Sequence, residues 1–310
     1  MSTEGGIRAV VAALLANVGI AISKFIAFFF TGSSSMLAEA IHSVADSGNQ
    51  VLLLVGNKRA KKGADEHHPF GYGRRRYVYG FIVAIVLFLV GGLFSLYEGI
   101  HKWQAPEPLD DWWIAVLVLG VAIVLESFSF RTAIREANRS RGKRSMFRFI
   151  RDSRQPELPV ILLEDAGALV GLIFAMCGVG LAVITGDGRF DALGAISVGT
   201  LLVVIAVFLA MEMTAMLVGE GALPEEVFAI RAALESSPGV RRVIHMRTLH
   251  VGPDELLVAA KIAILNSATG ASITADIDAA EQALRAAVPT ARYVFLEPDL
   301  DRTPASAIED

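Results

Sequence analysis

His42 and Asp46 stand four residues apart inside a long apolar stretch, and a second apolar stretch opens with the adjacent acids Glu164 and Asp165. Positions i and i+4 of a helix share one face about one turn apart, so this imidazole and carboxylate can address one ion from one helix. Asn49, three residues beyond Asp46, can add a carbonyl oxygen or a supporting hydrogen bond, while Ser43 lies off that line. Glu164 and Asp165 differ by about 100° around their helix axis, so only one can point straight at the site. Asp165 is expected to do so, because Ala168 and Leu169 continue its face; Glu164 is then a proton-sharing, helix-orienting or shell-completing neighbour. Imidazole with carboxylates suits Zn2+ or another first-row divalent ion, Fe2+, Co2+ or Mn2+, rather than calcium. The competing reading is a His–Asp hydrogen bond that only joins helices. A charged side chain at the membrane centre costs about 2.5 to 3.5 kcal/mol, and a histidine with at least two acids is more polarity than packing requires.

The elements that must position these residues are membrane helices. The chain has 310 residues, is 54% hydrophobic and has a mean hydropathy of +0.52, too apolar for a soluble domain of this size. Spanning a hydrocarbon core takes roughly 20 helical residues, and six windows qualify, about 7–30, 34–57, 77–101, 112–136, 159–184 and 190–218. The net charge of −4 matters less than its distribution. Basic residues follow the second window (Lys58, Arg59, Lys61, Lys62, Arg74, Arg75, Arg76) and the fourth (Arg135 to Arg154), while the alternate connections are uncharged or acidic. By the positive-inside rule both termini and both basic loops are cytoplasmic. The chain reads as a multi-pass integral membrane protein, of the plasma (inner) membrane if prokaryotic, with no cleavable signal peptide expected.

Other residues in the spans are weighed the same way. Lys24 is expected to snorkel or pair, Glu39 to line the outer end of the second span, and Glu98 and Glu126 stay unassigned. Gly91, Gly92, Gly167, Gly171 and Gly178 permit close helix approach. The single Cys177 rules out an intrachain disulfide and reads as packing. The basic connection after the fourth window determines topology or meets lipid headgroups; membrane lipid is an expected partner and nucleic acid is not.

From about Leu223 the apolar runs shorten and charges mix in, in the order helix, strand, strand, helix, strand. Pro224 with Glu225 and Glu226 suits a first helical turn. Pro238-Gly239 breaks that helix; Arg242–His250 and Leu256–Ile264 alternate as strands about Gly252-Pro253-Asp254. Ile273–Ala287 is a second helix and Tyr293–Leu296 a last strand. The architecture expected is six transmembrane helices over 1–218, a small α+β domain over 219–300 and a flexible tail over 301–310.

The run from Gly32 through His42, Asp46 and Asn49 to Gln50 resembles the second-helix signature of cation diffusion facilitator transporters, and His68-Pro-Phe-Gly-Tyr-Gly-Arg74 resembles the loop that follows it. Leu162-Leu163-Glu164-Asp165 and Arg76-Tyr77 resemble the branch that includes the mitochondrial zinc exporter of animals. The resemblance implies a homodimer exporting zinc or a similar divalent cation in exchange for protons, with a ferredoxin-like cytoplasmic domain and no enzymatic activity. It implies a tetrahedral site with two ligands from each of the second and fifth helices. His42, Asp46 and Asp165 match three of these. The fourth position is Ile161, which cannot ligate, so Glu164, Asn49 or water completes the shell.

Further family positions are partly filled. Asp65 and His68, with His67 adjacent, match a loop metal site in which Tyr72 replaces a second histidine. His245 matches a ligand of the cytoplasmic domain, but Ala260 or Lys261 and Phe295-Leu296-Glu297 fill its partner positions. A full binuclear site is not expected there, and His245 and His250 read as surface or interface residues. Arg74 and Glu220 match a charge interlock between the second-to-third loop and the start of the tail domain. Two other classes compete: an intramembrane metal hydrolase, which ordinarily carries a motif such as His-Glu-x-x-His that this chain lacks, and a metal-sensing receptor that binds without flux or turnover.

Overall fold

The second helix carries polar residues that are buried, and the helices around it enclose them. The computed structural model describes residues 3–300 except 107, 108, 110, 143 and 265–268, and gives no side-chain description for 3–16 and 140. The expected tail over 301–310 lies outside the described residues. The chain divides into two units, Met1–Arg59 with Arg76–Thr214, and Ala60–Arg75 with Ala215–Asp310.

The first unit is helical. Its elements are α1 Thr3–Thr31, α2 Ser34–Ala60, α3 Arg75–Gln104, α4 Trp112–Ser140, a short α5 Met146–Asp152, α6 Glu157–Thr185 and α7 Arg189–Val218. Among the described residues, α3, α4, α6 and α7 are long and apolar enough to cross a membrane, and α1 is apolar over Asn17–Thr31. Helix α2 has the length, 27 residues or about 40 Å, but not the apolarity, because Glu39, His42, Asp46, Asn49 and four serines interrupt it. That polar content is packed inward: Ser34, Ser35, Glu39, His42, Ser43, Ser47 and Asn49 are all buried. A helix read by periodicity alone as a span is thus a helix whose polar face is sequestered by protein.

Among the described residues, two larger apolar clusters and a smaller third hold this unit. Ala38 and Leu53 of α2 pack with Val83, Ala84 and Leu87 of α3, Val160 of α6 and Val198, Leu202 and Ile205 of α7. Ala27 and Met36 pack with Leu119 and Ala122 of α4 and Leu172, Ala175 and Val179 of α6. Helix α3 is not uniform: residues Leu87–Leu93 form a π-helical segment within it. Such insertions interrupt the ordinary hydrogen-bond ladder and are frequent at functional sites. The basic connection before α6 is folded, with Phe149 of α5 buried among Ala133, Ala137 and Leu162.

The second unit contains α8 Pro224–Glu235, β1 Val240–Gly252, β2 Glu255–Ile264, α9 Gly270–Ala287 and β3 Ala291–Leu300, the order expected. The sheet runs β1-β2-β3, antiparallel between the first two and parallel between the last two. Ile230 and Leu234 of α8 and Ala280 and Leu284 of α9 cover Val243, Leu256, Val258 and Ile262 on one face. Helix α9 begins three residues earlier than periodicity predicts, because Thr269 caps it by accepting from the Ser272 backbone N–H at 3.3 Å. The loop 60–75 belongs to this unit. Gly73 lies so close to Gly252 that a Cβ on it would sit 2.9 Å from the Gly252 Cα, and the Tyr293 hydroxyl donates to the Phe70 carbonyl at 3.3 Å.

Candidate metal centre

The N-terminus of α2 is fixed by a charge from another helix. Asp191, at the start of α7 and fully buried, accepts from the Ser33 hydroxyl (2.7 Å), the Ser34 N–H (2.7 Å) and hydroxyl (3.1 Å) and the Ser35 N–H (3.3 Å). The first N–H groups of a helix have no partner within it, and a carboxylate there also meets the positive end of the helix dipole. On the other side of the turn, Lys102 of α3 donates to the Gly32 carbonyl just past the end of α1. The acceptor of this cap lies 157 residues away from Ser34, and the sequence pattern did not point to it.

From that anchor α2 presents a polar row to α6. His42 Nδ1 lies 3.5 Å from Asp46 Oδ1, within ion-pair reach but too long for a good hydrogen bond. Asn49 Nδ2 donates to Glu164 Oε1 at 2.7 Å, both groups buried. Asp165 faces elsewhere and accepts from the Ser129 hydroxyl of α4 at 2.9 Å. The acid that meets α2 in this structure is therefore Glu164, in the place where the sequence led us to expect Asp165. The reason is the packing of α6: Val160, Gly167, Ala168 and Gly171, which share a face with Glu164, are buried, whereas Ile161, one turn before Asp165, is exposed. Gly167 and Gly171, already read as places of close helix approach, share the face of Glu164, and that is the signal that separates the two acids.

Several polar atoms along this seam lack a hydrogen-bond partner: Glu39 Oε1, both ring nitrogens of His42, Asp46 Oδ1 and Asn49 Oδ1. Buried polar groups are ordinarily satisfied; one imidazole nitrogen is a donor, and the other, with the open oxygens of Glu39, Asp46 and Asn49, forms a row of acceptors on one helix face that suits a cation. Among the described residues, no three His, Cys, Asp or Glu side chains are close enough to hold a metal as they stand. The donor chemistry is present on α2 and α6, and the side chains are not gathered into one shell as they stand.

Two neighbours of His42 are further findings. Gly91, in the π-helical segment of α3, is so placed that a Cβ on it would lie 3.9 Å from His42 Nδ1 and 3.1 Å from Leu202 Cδ1. Lys24 of α1, fully buried, donates to Glu39 Oε2 at 3.0 Å and to the Ser43 hydroxyl at 2.8 Å. It pairs rather than snorkels.

The other predicted sites contain lysines. Asp65 accepts from Lys62 Nζ at 2.8 Å, the Tyr72 hydroxyl at 2.7 Å and the His68 backbone N–H at 2.9 Å, with His68 Nδ1 at 3.4 Å; His67 is exposed. The Lys62 and Tyr72 hydrogen bonds hold the Asp65 carboxyl below the usual carboxylate range, and Asp65 raises the Lys62 amine in turn. In the sheet, Lys261 sits between its register neighbours His245 and Glu297 and pairs with Glu297 at 3.0 Å and Asp299 at 3.1 Å, which raises its own pKa. His245 is exposed, but His250 is buried at 2%, which corrects its reading as a surface or interface residue. The segment around Glu220 covers it, the His250 N–H donating to the Glu220 carbonyl at 2.8 Å. A Cβ on neighbouring Gly219 would lie 3.7 Å from Arg74 Nη2, so Arg74 reaches the segment that carries Glu220.

The model of the cation efflux transmembrane domain matches residues 10–218. The chain is 34% identical over 261 residues to the mitochondrial proton-coupled zinc antiporter SLC30A9 of Mus musculus, covering 84% of this chain and 46% of that protein. It is 28% identical over 259 residues to metal tolerance protein C4 of Arabidopsis thaliana, covering 82% of this chain and 56% of that one. It is 27% identical over 254 residues to the cation-efflux pump FieF of Cronobacter sakazakii, covering 81% and 78%. The chain thus spans about half the length of the first of these relatives. A solved MamM CTD in a nickel form aligns with 26% of this chain and 100% of its own at 21% identity, with a TM-score of 0.25.

Proposed function

The chain belongs to the cation efflux family, and from that premise we propose that it is an antiporter that exports zinc, or Fe2+, Co2+ or Mn2+, from the cytoplasm in exchange for protons. The observation that carries this reading is the α2–α6 seam, where His42, Asp46 and Asn49 present unpartnered buried atoms beside Glu164. The names of the mouse antiporter and the bacterial efflux pump support the same direction.

The proposed ligands are His42 and Asp46, completed from α6. The 2.7 Å Asn49–Glu164 bond favours Glu164 as the inner acid. Asp165 would replace it if α6 turned by about 100°, so the adjacent acids allow the seam to offer a different carboxylate in each of two states. Metal ligands must be deprotonated to bind, so cation and protons compete for the same groups, and an inward proton gradient drives export. His42, Asp46 and the acid from α6 are the groups over which that competition runs.

In this reading α1 and α2 also cross the membrane, giving six spans over 1–218 with a cytoplasmic ferredoxin-like domain over 219–300. The polar face of α2 is buried and its length suffices, which supports its inclusion. Both termini face the cytoplasm, on the basic-loop argument. The protein works as a homodimer, with Arg74 and Glu220 as its charge interlock. At the loop site, a metal would have to take Asp65 from Lys62 before His67 and His68 could join it.

The test is metal uptake into proteoliposomes under an imposed pH gradient, comparing zinc, cobalt, iron and manganese, with Asp46→Ala, Glu164→Ala and Asp165→Ala beside the parent chain. Gradient-driven flux lost in Asp46→Ala is the expected result. Stoichiometric binding with no flux of any ion would move the protein to the sensor class, and substrate cleavage to the hydrolase class.

A further inference from the structure

Lys24 and Glu39 are both completely buried, and their contacts are lopsided. The ammonium bonds Glu39 Oε2 and the Ser43 hydroxyl. Glu39 Oε1 has no partner and is aimed at α6, where it lies 2.7 Å from the position a Cβ on Gly171 would take. Ser43 follows His42 directly, and Glu39 precedes His42 by three residues, one turn along the same buried side of α2. Residues three or four apart on a helix are neighbours at about 5 to 6 Å. The ammonium is therefore tied to both residues that flank His42, and a free carboxylate oxygen lies beyond it.

Resting on the antiporter reading above, we propose that Lys24 is a tethered counter-cation: it occupies Glu39 while the seam holds no metal and yields Glu39 to the departing ion, so that Glu39 and Ser43 form a second cation station beside His42 and Asp46. A carboxylate enclosed at membrane depth needs a positive partner, and Lys24 supplies one whenever the transported ion does not. Lysine suits this because its compact charge rides on a flexible four-carbon stem, unlike the planar fork of arginine. A divalent ion one turn away repels the ammonium and attracts the free oxygen, which weakens the pair when metal is present. Lys24 thereby lowers the affinity of the seam and favours release.

The test is Zn2+ binding to the purified full chain in detergent, by competition with a chromogenic chelator at fixed pH, for the parent, Lys24→Met, Glu39→Gln and the double variant. Removing the ammonium alone is expected to tighten binding about tenfold, and removing the carboxylate alone to weaken it about tenfold, as unscreened charges one turn apart require. The double variant is expected to return to within about threefold of the parent, since the local charge is again balanced. If only one single variant folds, the direction of its change decides. Parent binding that is lost in Asp46→Ala but unmoved in both single variants would overturn the role of Lys24 and leave the antiporter reading standing. Two unfolded single variants rescued by the double variant would also overturn it, as the mark of a pair that only packs. A parent chain that binds no zinc would sink the antiporter reading itself.

Discussion

The Asp191 carboxylate accepts both the backbone N–H and the hydroxyl of Ser34, at 2.7 and 3.1 Å, so the helix that carries His42 and Asp46 begins on a charge donated by α7. Replacing Asp191 with Ala leaves the Ser33 hydroxyl, the Ser34 N–H and hydroxyl and the Ser35 N–H without that acceptor, while the Ser35 hydroxyl keeps the carbonyl of residue 191. At about 1 to 3 kcal/mol per buried unsatisfied group, the loss of stability is at least about 3 kcal/mol. Asp191→Asn keeps one acceptor oxygen and is expected to lose less. Thermal unfolding of both variants in detergent measures the difference, and equal losses would show that the charge, rather than the acceptors, matters.

Gly171 faces Glu39, and a methyl there would lie 2.7 Å from Oε1, inside any permitted contact. Gly171→Ala is therefore expected to push Glu39 or α6 aside and to reduce gradient-driven zinc flux about tenfold or more, as misplacement near a reacting centre does. Gly180 on the same helix has open space about it and serves as the control. Equal flux in Gly171→Ala and Gly180→Ala would remove the close α2–α6 approach from the working geometry.

The adjacent acids separate by partner. Glu164 bonds Asn49, whereas Asp165 bonds Ser129. Zinc affinity is expected to fall at least about tenfold more in Glu164→Gln than in Asp165→Asn, the difference that a direct ligand makes over an outer partner. The reverse order, read by chelator competition, would return Asp165 to the inner position.

Asp65 provides a pH test outside the membrane. Its carboxyl is held low by hydrogen bonds from Lys62 and Tyr72. A depressed folded pKa means that the contribution is present above the unfolded value of about 3.9 and is lost as pH falls through the folded value. Lys62→Met should move the Asp65 titration midpoint, followed by NMR of the side-chain carboxyl carbon, upward toward about 3.9. A midpoint unchanged by the substitution would assign the shift to Tyr72 and the backbone.

Much of this fold was legible from residue order because it depends on local periodicity. The i, i+4 spacing placed His42 and Asp46 on one face of α2, and the change from helical to strand periods past Leu223 gave the element order of the sheet domain. The rotation of α6 was not legible by the same route, since Glu164 and Asp165 are equal in chemistry and only the tight contacts at Gly167 and Gly171 choose between them. The Asp191 cap joins positions more than 150 residues apart, which no periodicity reports. The π-helical segment beside His42 is a backbone choice made within an unremarkable apolar run. His250 was misread because strand alternation says which residues share a face, but not that the segment at Glu220 would cover it.

Lys261, paired with both Glu297 and Asp299, gives the sheet domain an ion of its own, bonded into the chain. A ligand shifts a folding equilibrium only by binding the folded form better than the unfolded one, and at these carboxylates a cation is already covalently supplied. A cation entering between Glu297 and Asp299 must therefore displace the Lys261 ammonium first, which opposes metal binding at this part of the sheet. On the antiporter reading such a built-in counter-ion suits a carrier, whose metal-linked free energy belongs with the helices that move the cargo.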